Sequence, residues 1–286
     1  MIIGNAISPV NRFIGGGGGG SVTPPLDLFS SSIGAWSVSR KLRTAYIGDC
    51  IKVRRDSDNS VLDIGFDGNG NLDESALLTF VGVGSGFVHT ISDQSVLGND
   101  AIQTIAANQP RIVLSGVVEK DNEKPAMFFD GVSDLLEIPS SQPTFNFMHN
   151  GDDATIFTVA SGASATQGAI YGNNGGSNTS VGVFNYFDDT SPEEDAIRYI
   201  VFTGGSASSE TIRTNDRNII SQFSDANNTT ILDRYELYIN GGSAIKTNAS
   251  TTAPSTANAN HNFQVGAGGS DANPFTGSIQ ELVIFN

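Results

Sequence analysis

The residues with the greatest chemical capacity are carboxylates and amides set beside aromatic rings. Asp188, Asp189, Glu193, Glu194 and Asp195 follow directly on the aromatic run Phe184 to Phe187. An acidic loop at a strand end can be solvated charge, a calcium site of oxygen ligands led by Asp188 and Asp189, or the source of glycosidase acids. Calcium is the only cofactor that the sequence raises. A second grouping pairs Tyr171 with Asn173 and Asn174, and Asn185 with Tyr186. An aromatic face with neighbouring amides suits a sugar, because the ring covers its apolar face and the amides pair with its hydroxyls; the same residues also serve as packing.

Other motifs lead to structure rather than chemistry. Asp67-Gly68-Asn69-Gly70-Asn71-Leu72-Asp73 has the look of a calcium loop, but Leu72 stands where such a loop needs glycine and Leu78 where it needs glutamate. It is expected to be a turn leading into a helix. The glycines Gly15 to Gly20 lack the lysine and hydroxyl residue of a phosphate loop. His89, His149 and His261 are scattered, with no nucleophile motif beside them.

Composition narrows the setting. With 15 basic against 30 acidic residues, the net charge of −15 repels nucleic acid and anionic membranes. The single cysteine, Cys50, rules out an internal disulfide framework. No stretch approaches the ~20 apolar residues of a membrane span, so membrane insertion is not expected. Met1 to Gly20 has neither a basic start nor an unbroken apolar run, so synthesis in a cytoplasm without export is expected. The 17 Phe, against 3 Met and 1 Trp, suit sheet-on-sheet packing, and the 33 Gly suit short strands joined by turns.

The elements that must position these groups are strands. Residues 1–33 are expected to form a Gly/Pro-rich arm, with Ile2, Ile3, Ile7, Val10, Phe13 and Ile14 as an apolar anchoring peptide ahead of the glycines. Residues 34–286 are expected to form one domain. Ile51 to Arg55 alternates apolar and basic side chains like a half-solvated strand, with Asp56 and Asp58 placed for surface ion pairs. Asp73 is expected to cap the one clear helix, running to Val81. Apolar runs then recur between turn signals: 126–129, 135–138, 155–160, 181–187, 197–202, 219–223, 235–239, 263–265 and 279–285. The fold class is all-β: a jelly-roll sandwich of two antiparallel sheets with one short helix and an extended N-terminal arm.

Particular segments resemble known families. Phe129-Asp130-Gly131-Val132-Ser133-Asp134-Leu135-Leu136-Glu137-Ile138-Pro139, the hairpin Tyr235 to Gly241 and the closing strand Phe275 to Asn286 resemble concanavalin A-like and laminin-G-type domains. Ala35 to Leu42, Ala45-Tyr46, Ile51 to Asn59, Asp63 to Phe66, and Asp93-Gln94-Ser95 through Gly98-Asn99-Asp100 resemble the catalytic-domain segment of arabinofuranosidase B. That segment is also found in bacteriophage tail and virion proteins. In the enzymes, adjacent cysteines precede a strand that ends in the nucleophilic glutamate. Ala169 to Gly175, the nearest match, has neither cysteines nor acid.

The resemblance therefore implies a non-catalytic virion structural protein, a capsid decoration or tail component. Its arm would dock on other virion proteins, and its lectin-like domain would meet host-surface glycans. A virion setting also implies a homo-oligomer, with a trimer as the expected form. A glycoside hydrolase acting on arabinosides and a purely structural cement protein are the alternatives.

Overall fold

The computed structural model describes residues 23–150, 152–162, 168–175, 181–188, 196–202, 206–212, 217–225, 227–246 and 255–286. The arm residues Ile2, Ile3, Ile7, Val10, Phe13 and Ile14 lie outside them, as do Asp189, Glu193, Glu194 and Asp195. The N-terminal third holds helix α1 (Pro25–Leu28), strands β1 (Ser32–Ser37), β2 (Ile51–Arg55) and β3 (Val61–Ile64), and helix α2 (Glu74–Val81). Strands β4 (Gly86–Ile91), β5 (Ala101–Ile102), β6 (Arg111–Leu114), β7 (Val117–Val118), β8 (Lys120–Asp121) and β9 (Lys124–Pro125) follow. The sandwich proper adds β10 (Met127–Asp130), β11 (Leu136–Ile138), β12 (Asp153–Gly162), β13 (Gly168–Gly172), β14 (Gly182–Asp188) and β15 (Ala196–Phe202). It ends with β16 (Ser206–Ile212), β17 (Asn218–Asp225), β18 (Tyr235–Ile239), β19 (Phe263–Val265) and β20 (Thr276–Phe285).

The chain is all-β in architecture, as its composition and alternation predict. One layer runs β18–β17–β12–β20, with β1 and β10 both paired to β20. The other runs β11–β19–β13–β14–β15–β16. The closing strand is thus central: β20 pairs with three strands, and its Leu282 and Ile284 enter the core while Val283 faces outward. A third group, β3–β2–β4–β6–β7, carries α2 and joins the layers through β5 and β10.

The core is aromatic. Phe263 stacks on Tyr171 (5.4 Å between centroids) and on Trp36 (6.5 Å), and Phe145 packs at 4.7 Å. Rings at these separations add ~1 kcal/mol per pair beyond the apolar area they bury.

The segment from Trp36 to Asp100 has a structural task. Asp93 is buried; its carboxylate accepts N–H bonds from Ala35, Ser95 and Asn99 and the Ser95 hydroxyl. The Gln94 side chain accepts from Leu42 N and donates to Arg40 O, while Trp36 Nε1 donates to Asn99 O. These residues satisfy backbone groups where β1 meets the loop, which a buried loop must do somehow. Arg55 pairs with Asp58 at 2.6 Å as its strand pattern implies, whereas Asp56 accepts from Ser85 N. Asp73 caps α2 through Ala76 N, and Asp67 accepts from Asn69 N and Asn71 N, making the expected turn. Beyond the expected helix, Pro25–Leu28 forms a single turn whose Leu26 packs with Ala35, Leu42 and Val283.

Candidate functional site

The residues singled out for a sugar site face inward. Tyr171 is fully buried, lies flat against Phe263, and donates its hydroxyl to Gln222 Oε1. Burial pushes its phenol far above the ordinary value. A register shift between Ala169 and Tyr171 on β13 turns both Ile170 and Tyr171 into the core, so the ring presents no face to solvent. Tyr186 is buried with Phe184 and Ala169 on the opposite side of the sheet. The expected aromatic platform is therefore replaced by packing.

The amides are buried as well. Asn173 Oδ1 accepts from Val183 N at 2.8 Å, while its Nδ2 has no partner among the described residues. Asn174 is buried beside it. Asn185 Nδ2 donates to Arg198 O at 2.8 Å, and its Oδ1 has no partner among the described residues. Asn185 sits across from Tyr171 and Tyr199 in register, so it belongs to a polar layer between the sheets. Gln222 and Ser224 face that layer from β17. Asp188 ends β14. No group of three or more His, Cys, Asp or Glu is placed to hold a metal among the described residues.

A polar row that the sequence did not single out lies on the outer side of the second sheet. β11 and β19 pair with Glu137 opposite Gln264, and Gln264 in turn lies opposite Gly172 on β13. Apolar neighbours on both strands turn into the core, which sends Glu137 and Gln264 outward together. Gln264 Nε2 donates to Glu137 Oε2 (3.1 Å) and to Asp271 Oδ1 (2.9 Å), and Asp271 N donates back to Gln264 Oε1 (3.1 Å). Asn262 Nδ2 donates to the other Glu137 oxygen at 2.9 Å. Two acceptors on one amide nitrogen stand about 5 Å apart. That spacing suits the acid and nucleophile of a retaining glycosidase, ~5 to 5.5 Å. Here the space between the carboxylates holds the Gln264 amide.

The loop that supplies Asp271 is seated by close backbone contact. A Cβ on Gly268 would fall 1.6 Å from Phe184 Cε2, so only glycine allows the loop onto that ring. At the same rim, the His261 ring and the Ser270 hydroxyl both lie over Gly175, where a Cβ would meet them at 2.7 and 3.2 Å. Asp271 and Ser270 are exposed, and His261 and Glu137 are half-buried. The alternation Leu136-Glu137-Ile138 and Phe263-Gln264-Val265 signals two outward polar residues; nothing in the sequence signals that they meet.

The family described as Alpha-L-arabinofuranosidase B, catalytic, matches residues 25–126, just over a third of the chain and short of the Glu137 row. No curated protein sequence matches. A GH54 α-L-arabinofuranosidase soaked with a cyclic sulfate inhibitor is similar in structure, with TM-score 0.65 and 16% identity, over 91% of this chain and 60% of that one. An arabinofuranosidase complexed with arabinofuranosyl-α-1,2-xylobiose gives the same TM-score at 14% identity, with the same coverage. A looser likeness, TM-score 0.42, is to the Ruminococcus gnavus IT-sialidase CBM40, at 15% identity over 58% of this chain and 89% of that one. The chain thus has an arabinofuranosidase-like fold and spans about 60% of those enzymes' length. At such identities the likeness is one of fold, and fold alone assigns no activity.

Proposed function

We propose that this chain is a non-hydrolytic, carbohydrate-directed structural protein of a bacteriophage virion, a capsid decoration or tail component that presents its sandwich to host-surface glycans. The observation that carries the non-hydrolytic part is the Gln264 amide between Glu137 and Asp271. A retaining hydrolase needs the sugar's reacting carbon between its two acids, and that place is taken. The rim keeps acceptors and donors suited to sugar hydroxyls: Asp271, Glu137, Ser270 and His261. The virion part is supported by the resemblance of the Ile33–Asp100 region to phage proteins and by residues 1–22, whose apolar residues ahead of a glycine run suit docking on a neighbouring virion protein. Weak single sites, repeated on a homo-oligomer such as a trimer, would gain strength by display on one particle.

A second reading, an active arabinofuranosidase, draws on the carboxylate spacing. The two separate in one set of measurements on the full chain. Binding to arabinan or host-surface polysaccharide, weakened at least tenfold by Asp271→Ala and without sugar release, supports the proposal. Arabinose release that Glu137→Gln or Asp271→Asn abolishes establishes the enzyme instead. Neither binding nor release leaves a cement protein. Antibody against the chain should label purified virions, and unlabelled particles overturn the virion reading.

A further inference from the structure

We propose that the outer face of strands β2, β4, β6 and β10 binds acidic polysaccharide. A cross-strand row of alternating arginine and phenylalanine runs over it. Arg54 on β2 lies in register with Phe87 on β4, Phe87 with Arg111 on β6, and Arg111 with Phe128 on β10. Register partners share a face of the sheet, and the neighbours Val53, Val88, Ile112, Met127 and Phe129 turn into the core, so the row points outward. Each guanidinium lies over a ring: Arg54 is 4.7 Å from the Phe87 centroid, and Arg111 is 4.8 Å from that of Phe128. All four side chains are part-exposed. Lys52 stands beside Arg54 on the same face, opposite Thr90, whose hydroxyl meets His89 Nδ1 at 2.8 Å.

This chemistry runs against a composition of 15 basic and 30 acidic residues. Among the described residues, the carboxylates bonded to the face are Asp63, 3.4 Å from Lys52, and Glu119, 2.6 Å from Arg111. Arg54 is the cation in excess. Its Nε donates to Gln109 Oε1 (2.6 Å), its Nη1 to Asn59 Oδ1 (3.0 Å) and its Nη2 to Ala106 O (3.1 Å). All three acceptors are neutral, so the guanidinium is held in place while its charge stays uncompensated. Asp56, whose charge also reaches Arg54, is committed to Ser85 N at 3.0 Å. The field is felt at His89, where burial and then the charges of Lys52 and Arg54 hold the imidazole below its ordinary pKa, against the opposing pull of Asp63. At physiological salt, exposed charges are screened beyond ~8 Å, so a ligand lying on the face meets this local excess before the net −15 of the whole chain.

The geometry selects the ligand. A guanidinium lying on a ring keeps the N–H groups along its edge available to a carboxylate or sulfate. Both Nη groups of Arg111 are without partners among the described residues. Arg54 and Arg111 are two strand spacings apart, ~10 Å, so one molecule engaging both must carry acid groups at separate points along its length. The hydroxyls of Thr90 and of Ser278, which lies in register with Phe128, flank the row and pair with sugar hydroxyls. Duplex DNA sets one charge every ~1.7 Å of its axis, a density that a single uncompensated cation does not offset on a chain of net −15. This face is separate from the rim at Asp271, so it goes beyond the glycan reading above and does not depend on it.

The test measures binding of galacturonate and hyaluronate oligomers to the full chain by titration calorimetry. Binding to at least one is expected, weakened at least tenfold by Arg54→Gln and by Arg111→Gln with circular dichroism unchanged. Arg111→Gln leaves the Arg54 bonds to the 106–109 segment intact and so guards against misfolding. Lys41→Gln, the same charge change elsewhere on the surface, should have no effect. No binding to either oligomer, an equal loss in Lys41→Gln, or equally tight binding of poly-L-glutamate or duplex DNA would each overturn the proposal. Arabinan binding weakened by Asp271→Ala reads the other site, so the two can fail separately.

Discussion

Replacing Asp134 with asparagine should stabilise the protein at neutral pH and leave it nearly unchanged below about pH 4. Asp134 is 7% exposed and sits in the turn after β10, where its Oδ2 accepts from Asp130 N at 3.0 Å. Burial, reinforced by the nearby Asp130 charge, pushes its carboxyl up to about 6. In the unfolded chain the same group titrates near ~3.9. Between these values the folded protein holds a proton that the unfolded chain has released, so stability falls as pH rises from about 4 to 6, and the full deficit persists above that.

Two units correspond to at most ~2.7 kcal/mol, and attraction to Arg111 with nearby solvent brings the expected gain to ~1–2 kcal/mol. Asparagine keeps an oxygen for Asp130 N and does not titrate. Urea unfolding of both proteins across pH 3.5 to 8 measures the difference directly. A gain equal at both ends of that range, or a loss at neutral pH, would refute the reasoning.

Three further substitutions bear on the fold. Glu281 receives both Arg40 Nε (2.7 Å) and Nη2 (3.0 Å); burial pushes its carboxyl up, but Arg40 and the Ser39 hydroxyl outweigh that and the net shift is downward. Glu281→Gln should therefore cost ~2–3 kcal/mol at pH 7, and the difference should shrink as the pH falls through the folded-state value, read by denaturant melts at pH 7 and 3. The buried Tyr199 hydroxyl faces Ser224 without reaching hydrogen-bond geometry, so Tyr199→Phe should be neutral or stabilise by up to ~1 kcal/mol in thermal melts. Asp93→Ala strands the donors of Ala35, Ser95 and Asn99 and should cost ~3 kcal/mol or more, seen as early loss of hydrogen-exchange protection in β1.

Much of the sandwich was legible because strand alternation is a local property. Asp153–Gly162, Asn218–Asp225 and Tyr235–Ile239 lie where apolar runs place them, and Asp73 caps its helix. Ser206–Ile212 was not legible: its serine-rich sequence has no apolar run and becomes a strand by pairing along β15. The site was less legible than the fold. One inserted residue in the register of β13 reverses the side on which Tyr171 emerges, and no local pattern announces a bulge. Glu137, Gln264 and Asp271 come from strands and a loop far apart in sequence, and meet only because β11 and β19 are neighbours.

That neighbourhood also bears on how a fold shared with hydrolases could serve as a binder. Gln264 is held on three sides, by Glu137, by the Asp271 carboxylate and by the Asp271 backbone, and its strand lies between β11 and β13. It cannot swing aside without breaking all three bonds, and a buried amide deprived of partners costs ~1–3 kcal/mol. Under the proposed function, a sugar approaching the rim would meet acceptors that are already fixed in place, while the space between Glu137 and Asp271 stays closed. Under that function, the difference between holding a glycan and cleaving it would rest on one side chain in register with Glu137, rather than on the scaffold that carries both.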